Sequence, residues 1–252
     1  MLHTRSMNTT PTLWTDLPWL GFDTETTGIH PSKDRLVTAA VVLRRGGARP
    51  YEDDLVRTWL ADPGVDIPER ATQVHGITTE YARANGHPIV EVLDQVAATL
   101  ADHWSRGYPV VAFNATYDIS LMEAELSRHG LATLTQRLGF SPAPVIDPLV
   151  IDRKLDRFRK GKKTLVSMAP AYGVTAEENA HTAEVDVAMT LDVLGGMARK
   201  HVEHIGDLSA SELHQWQMKA HVEWADDFEA FLHKQGKDSR ISRAWPVEGH
   251  AR

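Results

Sequence analysis

The chain has 252 residues, 42% apolar and 24% charged, enough to bury a sizeable core in one large domain or one domain plus a tail. With 27 basic residues against 34 acidic ones the formal net charge is −7, which argues against a whole-surface nucleic-acid binder. There is no cysteine, so disulfides, thiolate zinc sites and cysteine nucleophiles are excluded, and the redox compartment stays open.

Residues 1–16 are polar, include Pro11 and show no periodic face, so they are expected to form a flexible arm. They lack the apolar core of a signal peptide, and no run in the chain is long enough to span a bilayer; a cytoplasmic location without membrane contact is expected. Residues 17–206 form the expected main domain. It opens with Trp19-Leu20-Gly21-Phe22, an apolar run that ends in Asp23 and Glu25. On a strand these two acids share side-chain parity and face one cleft. Two acids at the end of a buried strand are costly unless a cation sits between them. Thr26, Thr27 and Gly28 end the run as a turn.

Residues 30–35 read as a turn, LVTAAVVLRR (36–45) as a second strand, and GGARP (46–50) as the close of a hairpin. A third strand is expected over 51–56. Residues 59–88 are irregular and rich in turn signals. Within them QVHGIT (73–78) reads as a surface turn before a short helix capped at Thr78 or Thr79, or as a group at the mouth of a cleft. Apolar residues at 89, 92/93, 96/97, 100 and 104 predict an amphipathic helix, and VVAF (110–113) a short buried strand. Asn114 then opens a helix carrying Ile119, Met122 and Leu126 on one face, with Gly130 as its cap. Strand–helix alternation after an antiparallel start indicates an α/β fold with a mixed sheet.

A further strand is expected at Val145-Ile146. Residues 153–163 hold seven Lys or Arg against Asp156, a run that reads either as a solvated helix and loop or as a phosphate-binding patch. A short helix over 164–174 and a long one from about Thr182 follow, the latter with Val185, Met189 and Val193 on one stripe. Residues 207–252 change character. Ser209 and Glu212 make a capping box, and Leu213, Trp216, Ala220, Trp224, Phe228 and Phe231 then recur at three- and four-residue intervals. This C-terminal helical extension needs a partner: the parent domain, a second copy, a polymerase or another protein, or nucleic acid.

Four acids stand at the ends of these elements: Asp23, Glu25, Asp118 and Asp186, with His181 five residues before the last. Taken singly each has a mundane reading, Asp118 and Asp186 as charges at helix N-termini. Taken together they describe a hard-oxygen site suited to Mg²⁺ or Mn²⁺. Several carboxylates best fit two-metal hydrolysis of a phosphodiester, with a neutral imidazole taking the proton of the attacking water.

These residues fall into recognisable motifs. FDTETTG (22–28) matches an apolar strand followed by D-x-E-T-T-G, NATYD (114–118) matches N-x-x-x-D, and HTAEVD (181–186) matches H-x-A-x-x-D. His75-Gly76-Ile77 matches an H-G-I segment between the first two. In this order, over roughly residues 17–200, the chain resembles the DEDD-type 3′–5′ exonucleases, histidine subclass. That group includes the proofreading epsilon subunit of bacterial replicative DNA polymerase, ribonuclease T and oligoribonuclease.

The resemblance implies a ribonuclease H-like mixed central sheet flanked by helices, and a metal-dependent 3′–5′ exonuclease that releases nucleoside 5′-monophosphates. It implies that Asp23, Glu25 and Asp186 hold one of two divalent cations, Mg²⁺ or Mn²⁺. Asp23 would bridge to the second, Asp118 would act mainly through water, and His181 would be the general base. Thr24, Thr26, Thr27 and Gly28 would lie along the terminal nucleotide, His75 and Ile77 would line its sugar and base, and Asn114 would support the site. Where many relatives have His before the Asn, this chain has Phe113, which can stack on a base but donates no hydrogen bond. Lys160, Lys162 and Lys163 are the candidates for gripping the strand upstream of the cut. Single-stranded or frayed DNA, in proofreading or repair, is the expected substrate. Trimming of RNA, a small phosphodiester or nucleotide as substrate, and a non-catalytic module that binds nucleic acid or a polymerase are the rivals.

Overall fold

The computed structural model describes residues 12–48, 54–175 and 182–248. Its centre is β1 (Trp19–Thr26), whose first four residues are buried on both faces. β2 (Leu36–Arg44) runs antiparallel beside it, with Asp23 opposite Ala40 and Glu25 opposite Thr38. β3 (Leu55–Asp62) continues antiparallel to β2, and β4 (His87–Pro88) pairs parallel with its end. On the other side of β1 lie two short parallel strands, β5 (Val110–Val111) and β6 (Val145–Ile146). The order β4-β3-β2-β1-β5-β6 makes the mixed sheet that the alternation of elements predicts.

The third strand departs from its expected position at 51–56: it runs over 55–62, and 51–53 lie outside the described residues. Residues 55–58 are all exposed, so inward alternation begins only at Trp59 and Ala61. A strand exposed on both faces for half its length has no period for the sequence to display.

The helices are α1 (Glu69–His75), α2 (Thr79–Asn85), α3 (Ile89–Ser105), α4 (Ala115–Arg128) and α5 (Leu134–Leu138). They continue as α6 (Pro148–Leu155), α7 (Leu165–Met168), α8 (Ala183–Lys200), α9 (Val202–Ile205) and α10 (Ala210–Lys234). Gly76 ends α1 with a left-handed backbone at φ 77°, and the Thr78 hydroxyl caps α2 by accepting from Tyr81 N. Two helix layers sandwich the sheet. Leu20 and Phe22 of β1 pack with Leu93, Leu100, Ile119 and Met122 from α3 and α4. Trp19, Val42, Val111 and Ile146 pack on the other face with Val187, Leu191 and Leu194 of α8. Full burial of each such side chain contributes about 1.5–3 kcal/mol.

Of the expected N-terminal arm, residues 1–11 lie outside the described residues, but Trp14 is fully buried. It stacks on Trp19 at 5.3 Å, and its indole N–H donates to the Ile205 carbonyl at 2.7 Å. The packed residues of the domain therefore include Trp14, before residue 17. The C-terminal extension also folds against the domain. The outer edge of β6 is closed by side chains of α10: His214 Nδ1 accepts from Val145 N, Gln217 Nε2 donates to the Val145 carbonyl, and Gln217 Oε1 accepts from Asp147 N at 2.7 Å. An amide with no exposed surface thus satisfies backbone groups that a bare sheet edge would leave unpaired. Trp245 packs on His214 with ring centroids 5.0 Å apart, and the tail reaches Ser120 through Glu248 N. Among the described residues no helix is long and apolar enough to cross a membrane.

Candidate active site

The alternation of β1 sorts its residues onto two faces. Leu20, Phe22 and Thr24 point toward α3 and α4, while Trp19, Gly21, Asp23 and Glu25 point toward α8. Gly21 is what lets α8 come close: a Cβ there would sit 2.4 Å from Val187 Cγ1 and 3.1 Å from Leu191 Cγ. Asp186, one residue before Val187 in the first turns of α8, is thereby carried over the strand end. Carboxylate oxygens of Asp23, Glu25 and Asp186 lie within 4.8 Å of one another. An isolated glycine inside a strand signals such a close approach. Gly21→Val is expected to push α8 off the sheet and lower nuclease activity at least tenfold, by analogy with the penalties for overpacking and misplacement. Undiminished hydrolysis of a labelled oligonucleotide by a folded Gly21→Val protein contradicts that role.

Asp118 approaches from the opposite face. It is buried at the start of α4, where its Oδ1 accepts a 2.6 Å hydrogen bond from the Thr24 hydroxyl. The start of the helix is fixed by Asn114 and Asp147. Asn114 adopts a left-handed backbone, φ 61°, a conformation asparagine tolerates better than most. Asp147, buried and preceding Pro148, accepts from the N–H groups of Asn114, Ala115 and Leu149 and so caps both α4 and α6. The sequence reading passed over Asp147 and α6, although Asp-Pro before an apolar run is a helix-start signal. It also passed over Tyr117. That hydroxyl and the Thr26 hydroxyl are 2.6 Å apart, and each lies 2.6 Å from the Gly28 carbonyl. Asp34 braces the same turn by accepting from His30 N at 2.6 Å, close enough to Gly28 that a Cβ there would clash.

The acids depress one another's ionisation. Asp23 is held well above the usual carboxylate range, first by burial and then by the charges of Asp118, Glu25 and Asp186. Burial, followed by Asp186, Asp118 and Glu184, pushes Glu25 up to about 7. Burial also raises Asp118 to about 7, against the hydrogen bond from Thr24. Such a set fits a hard divalent cation: all donors are carboxylate oxygens, they converge, and their mutual repulsion is what a cation would relieve.

Two clefts flank the acids. One, of about 430 Å³, is bounded by Glu25, Thr26, Thr27, Gly28, Arg70 and His75. The other, of about 420 Å³, holds Asp23, Thr24, Asp118 and Asp186, with Phe113, Asn114 and Lys163 among its walls. At the cleft wall the His75 ring accepts from Ile77 N at Nδ1, and burial lowers its pKa against a backbone hydrogen bond at Thr26. Ile77 is partly buried against the small cluster of Val37, Ile67 and Ala82. His181 lies outside the described residues.

The basic run divides. Arg159 and Lys163 pair with the fully buried Asp152, Lys154 pairs with Glu223, Arg157 with Asp227 at 3.0 Å, and Arg153 lies 3.7 Å over the Trp224 ring. Most of its charge thus ties the 153–163 segment to Asp152 and to α10. Lys160 and Lys162 are exposed and line neither of the two clefts.

Comparison with known proteins agrees with this geometry. Residues 20–194 match the family model RNase T, described as an exonuclease. A DNA polymerase III PolC-type protein of Streptococcus thermophilus is 30% identical over 170 residues, 67% of this chain and 10% of that protein. The corresponding protein of Streptococcus agalactiae serotype III is 33% identical over 135 residues, 53% of this chain and 8% of that protein. The chain therefore spans about a tenth of the length of these relatives. Among solved structures, the zinc-bound complex of E. coli ExoI with ssDNA superposes with a TM-score of 0.64 at 17% identity, covering 85% of this chain and 45% of that one. Exonuclease I of Methylocaldum szegediense gives 0.60 at 20% identity, over 85% and 46%. With three carboxylates converging at the end of the central strand and a fourth beside them on α4, in the motif order of residues 20–194, this chain belongs to the DEDD-type exonuclease family.

Proposed function

We propose that this nuclease shortens single-stranded or frayed DNA from its 3′ end and releases nucleoside 5′-monophosphates. The observation that carries the reading is the convergence of Asp23, Glu25 and Asp186 within 4.8 Å, with Asp118 in the same cleft. DNA is favoured over RNA because the relatives are named as DNA polymerases and the structural neighbours as complexes with ssDNA or oligonucleotides.

Two divalent cations, Mg²⁺ or Mn²⁺, would be held by Asp23, Glu25, Asp118 and Asp186, and would supply a water of lowered pKa and charge stabilisation at the leaving 3′ oxygen. The residues do the rest. Thr24 fixes the Asp118 carboxylate through its hydroxyl, and Asp147 fixes the helix that carries it. Tyr117 and Asp34 hold the Thr26-Thr27-Gly28 turn as a rigid wall for the terminal nucleotide. His75 lines the far side of that wall. Phe113 offers a ring edge or face where a hydrogen-bonding side chain would select a base group, in keeping with hydrolysis that ignores sequence. His181, whose unperturbed pKa is close to neutrality, takes the proton of the attacking water. The water oxygen bonds to phosphorus as the P–O3′ bond breaks; the phosphate leaves on the released nucleotide, and the 3′ oxygen of the shortened strand takes up a proton to become a hydroxyl.

The test is a 5′-labelled single-stranded DNA and an RNA of matched sequence, each incubated with Mg²⁺ or Mn²⁺. Stepwise shortening of the DNA with release of nucleoside 5′-monophosphates is expected. Internal cuts, faster loss of the RNA, or no metal-dependent product overturns the proposal.

A further inference from the structure

The C-terminal helix α10 does more than close the sheet edge, because its outward stripe continues from the acid cleft. Trp224 and Phe228 stack at 5.4 Å with planes 16° apart, and Phe228 and Phe231 follow at 6.4 Å and 13°. Phe228 and Phe231 are 37% and 54% exposed, unusual for large rings on a charged chain. The groove they floor, about 350 Å³, is walled by Arg153, Lys154, Arg157 and Lys163 against two carboxylates, Glu223 and Asp227. Arg153 and Lys163 also line the cleft that holds Asp23, Asp118 and Asp186, so the two depressions share a border. Beside the groove, Phe158 is 89% exposed on the basic loop, with the Arg157 guanidinium 5.6 Å from its ring.

From this placement we infer that the rings of α10 and Phe158 form a track for the single strand upstream of the 3′ end, with bases stacking on Phe228, Phe231 and Phe158 and phosphates passing the cations. The inference rests on the proposed action at the 3′ end and names where the rest of the strand lies. Charge decides between occupants. A second copy or another protein that dried the aromatic stripe would bury Arg153, Lys154, Arg157 and Lys163, which with Arg159 face only Glu223, Asp227 and the buried Asp152, a cationic excess that needs anions. A polynucleotide supplies an apolar ring face and an anion with every residue of its own repeat. The continuity with the acid cleft fixes the direction: the terminal phosphodiester sits at the acids and the 5′ portion runs over α10.

The experiment measures binding of fluorescent single-stranded DNA to the full chain in EDTA, where no hydrolysis occurs, using a trinucleotide and a dodecanucleotide. The wild type is expected to bind the longer strand more tightly. Phe228→Ala combined with Phe231→Ala is expected to weaken binding of the dodecanucleotide about tenfold or more while the trinucleotide changes little, given the usual worth of base–aromatic stacking. Phe228→Trp with Phe231→Tyr keeps the stacking faces and is expected to retain the length preference, which separates lost stacking from lost folding. Phe158→Ala tests the loop independently, in the same direction. Equal affinity of wild type and the double alanine variant for the dodecanucleotide overturns the track and leaves the proposed hydrolysis standing. An equal loss for both lengths also overturns it, as does a change from oligomer to monomer in sedimentation, which would assign the stripe to a second copy. Failure of the wild type to shorten any 3′ end, by contrast, defeats the proposed function itself.

Discussion

Replacing Asp23 with asparagine is expected to lower metal-dependent nucleotide release by about three orders of magnitude while making the metal-free protein more stable. Asp23 sits where the strand, α8 and the Asp118 side of the cleft meet, and its charge is opposed by three other carboxylates. Asparagine keeps the shape but offers a neutral oxygen, a far weaker partner for a divalent cation. The same change removes the repulsion. Because burial and like charges raise the native pKa of Asp23, ionising it at neutral pH costs stability that the neutral amide spares. The gain is expected to show as a higher Tm of the metal-free variant. Both readouts come from one preparation: mononucleotide release with Mn²⁺, and a thermal melt in EDTA. An Asp23→Asn protein that retains activity within tenfold of the wild type would remove Asp23 from the chemistry.

The second large effect is the stabilisation by divalent cations, which is expected to grow with pH. In the folded metal-free chain Glu25 and Asp118 are raised to about 7, burial being the largest cause in each. Between their unfolded values and about pH 7 the native state therefore holds protons that the unfolded chain has lost. Stability from these groups is fully present below about pH 4 and declines as pH rises through about 7. Histidines act in the opposite sense. Burial lowers His103 to about 4 and lowers His214 and His221, so their contribution is lost as pH falls. The melt in EDTA alone therefore mixes two signs, and the informative quantity is the difference between melts with Mg²⁺ and with EDTA. Cations must displace protons from the acids at about pH 5.5 but not at about pH 8. The cation-induced rise in Tm is expected to be several degrees larger at the higher pH, on the order of 2–3 kcal/mol. A rise of equal size at both pH values would show that Glu25 and Asp118 do not face the cation. The variant Glu25→Gln is expected to flatten the difference.

Much of the fold was legible because it is written in local periods and in short motifs. The apolar opening of β1, the 3.6-residue stripes of α3 and α4, and the Ser209–Glu212 capping box of α10 each declare themselves within a few residues. The motifs around Asp23, Asp118 and Asp186 do the same for the acids. Elements whose logic is not local were displaced or missed. β3 begins with four exposed residues, α1 contains no buried residue, and α6 was masked by the strand signal before it. Ile77 shares a motif with His75, and its packing on Val37, Ile67 and Ala82 joins residues up to 40 positions apart that no local period displays. The basic segment shows the same limit. As a sequence it is seven positive charges, but Asp152, Glu223, Asp227 and Trp224, up to 71 positions away, engage five of them.

By itself the sequence determined the chemical identity of the site: which strand ends in two acids, which helices bring two more, and which cation chemistry four carboxylates admit. Those follow from residue type and spacing, which need no partner to be read. Only the tertiary structure decided how the acids meet. Gly21 lets α8 descend on β1, Asp147 aims α4 from 29 positions beyond Asp118, and Gln217 joins the C-terminal helix to the last strand. Each is a contact between distant residues, and its energy exists only when the chain has closed the loop that brings them together.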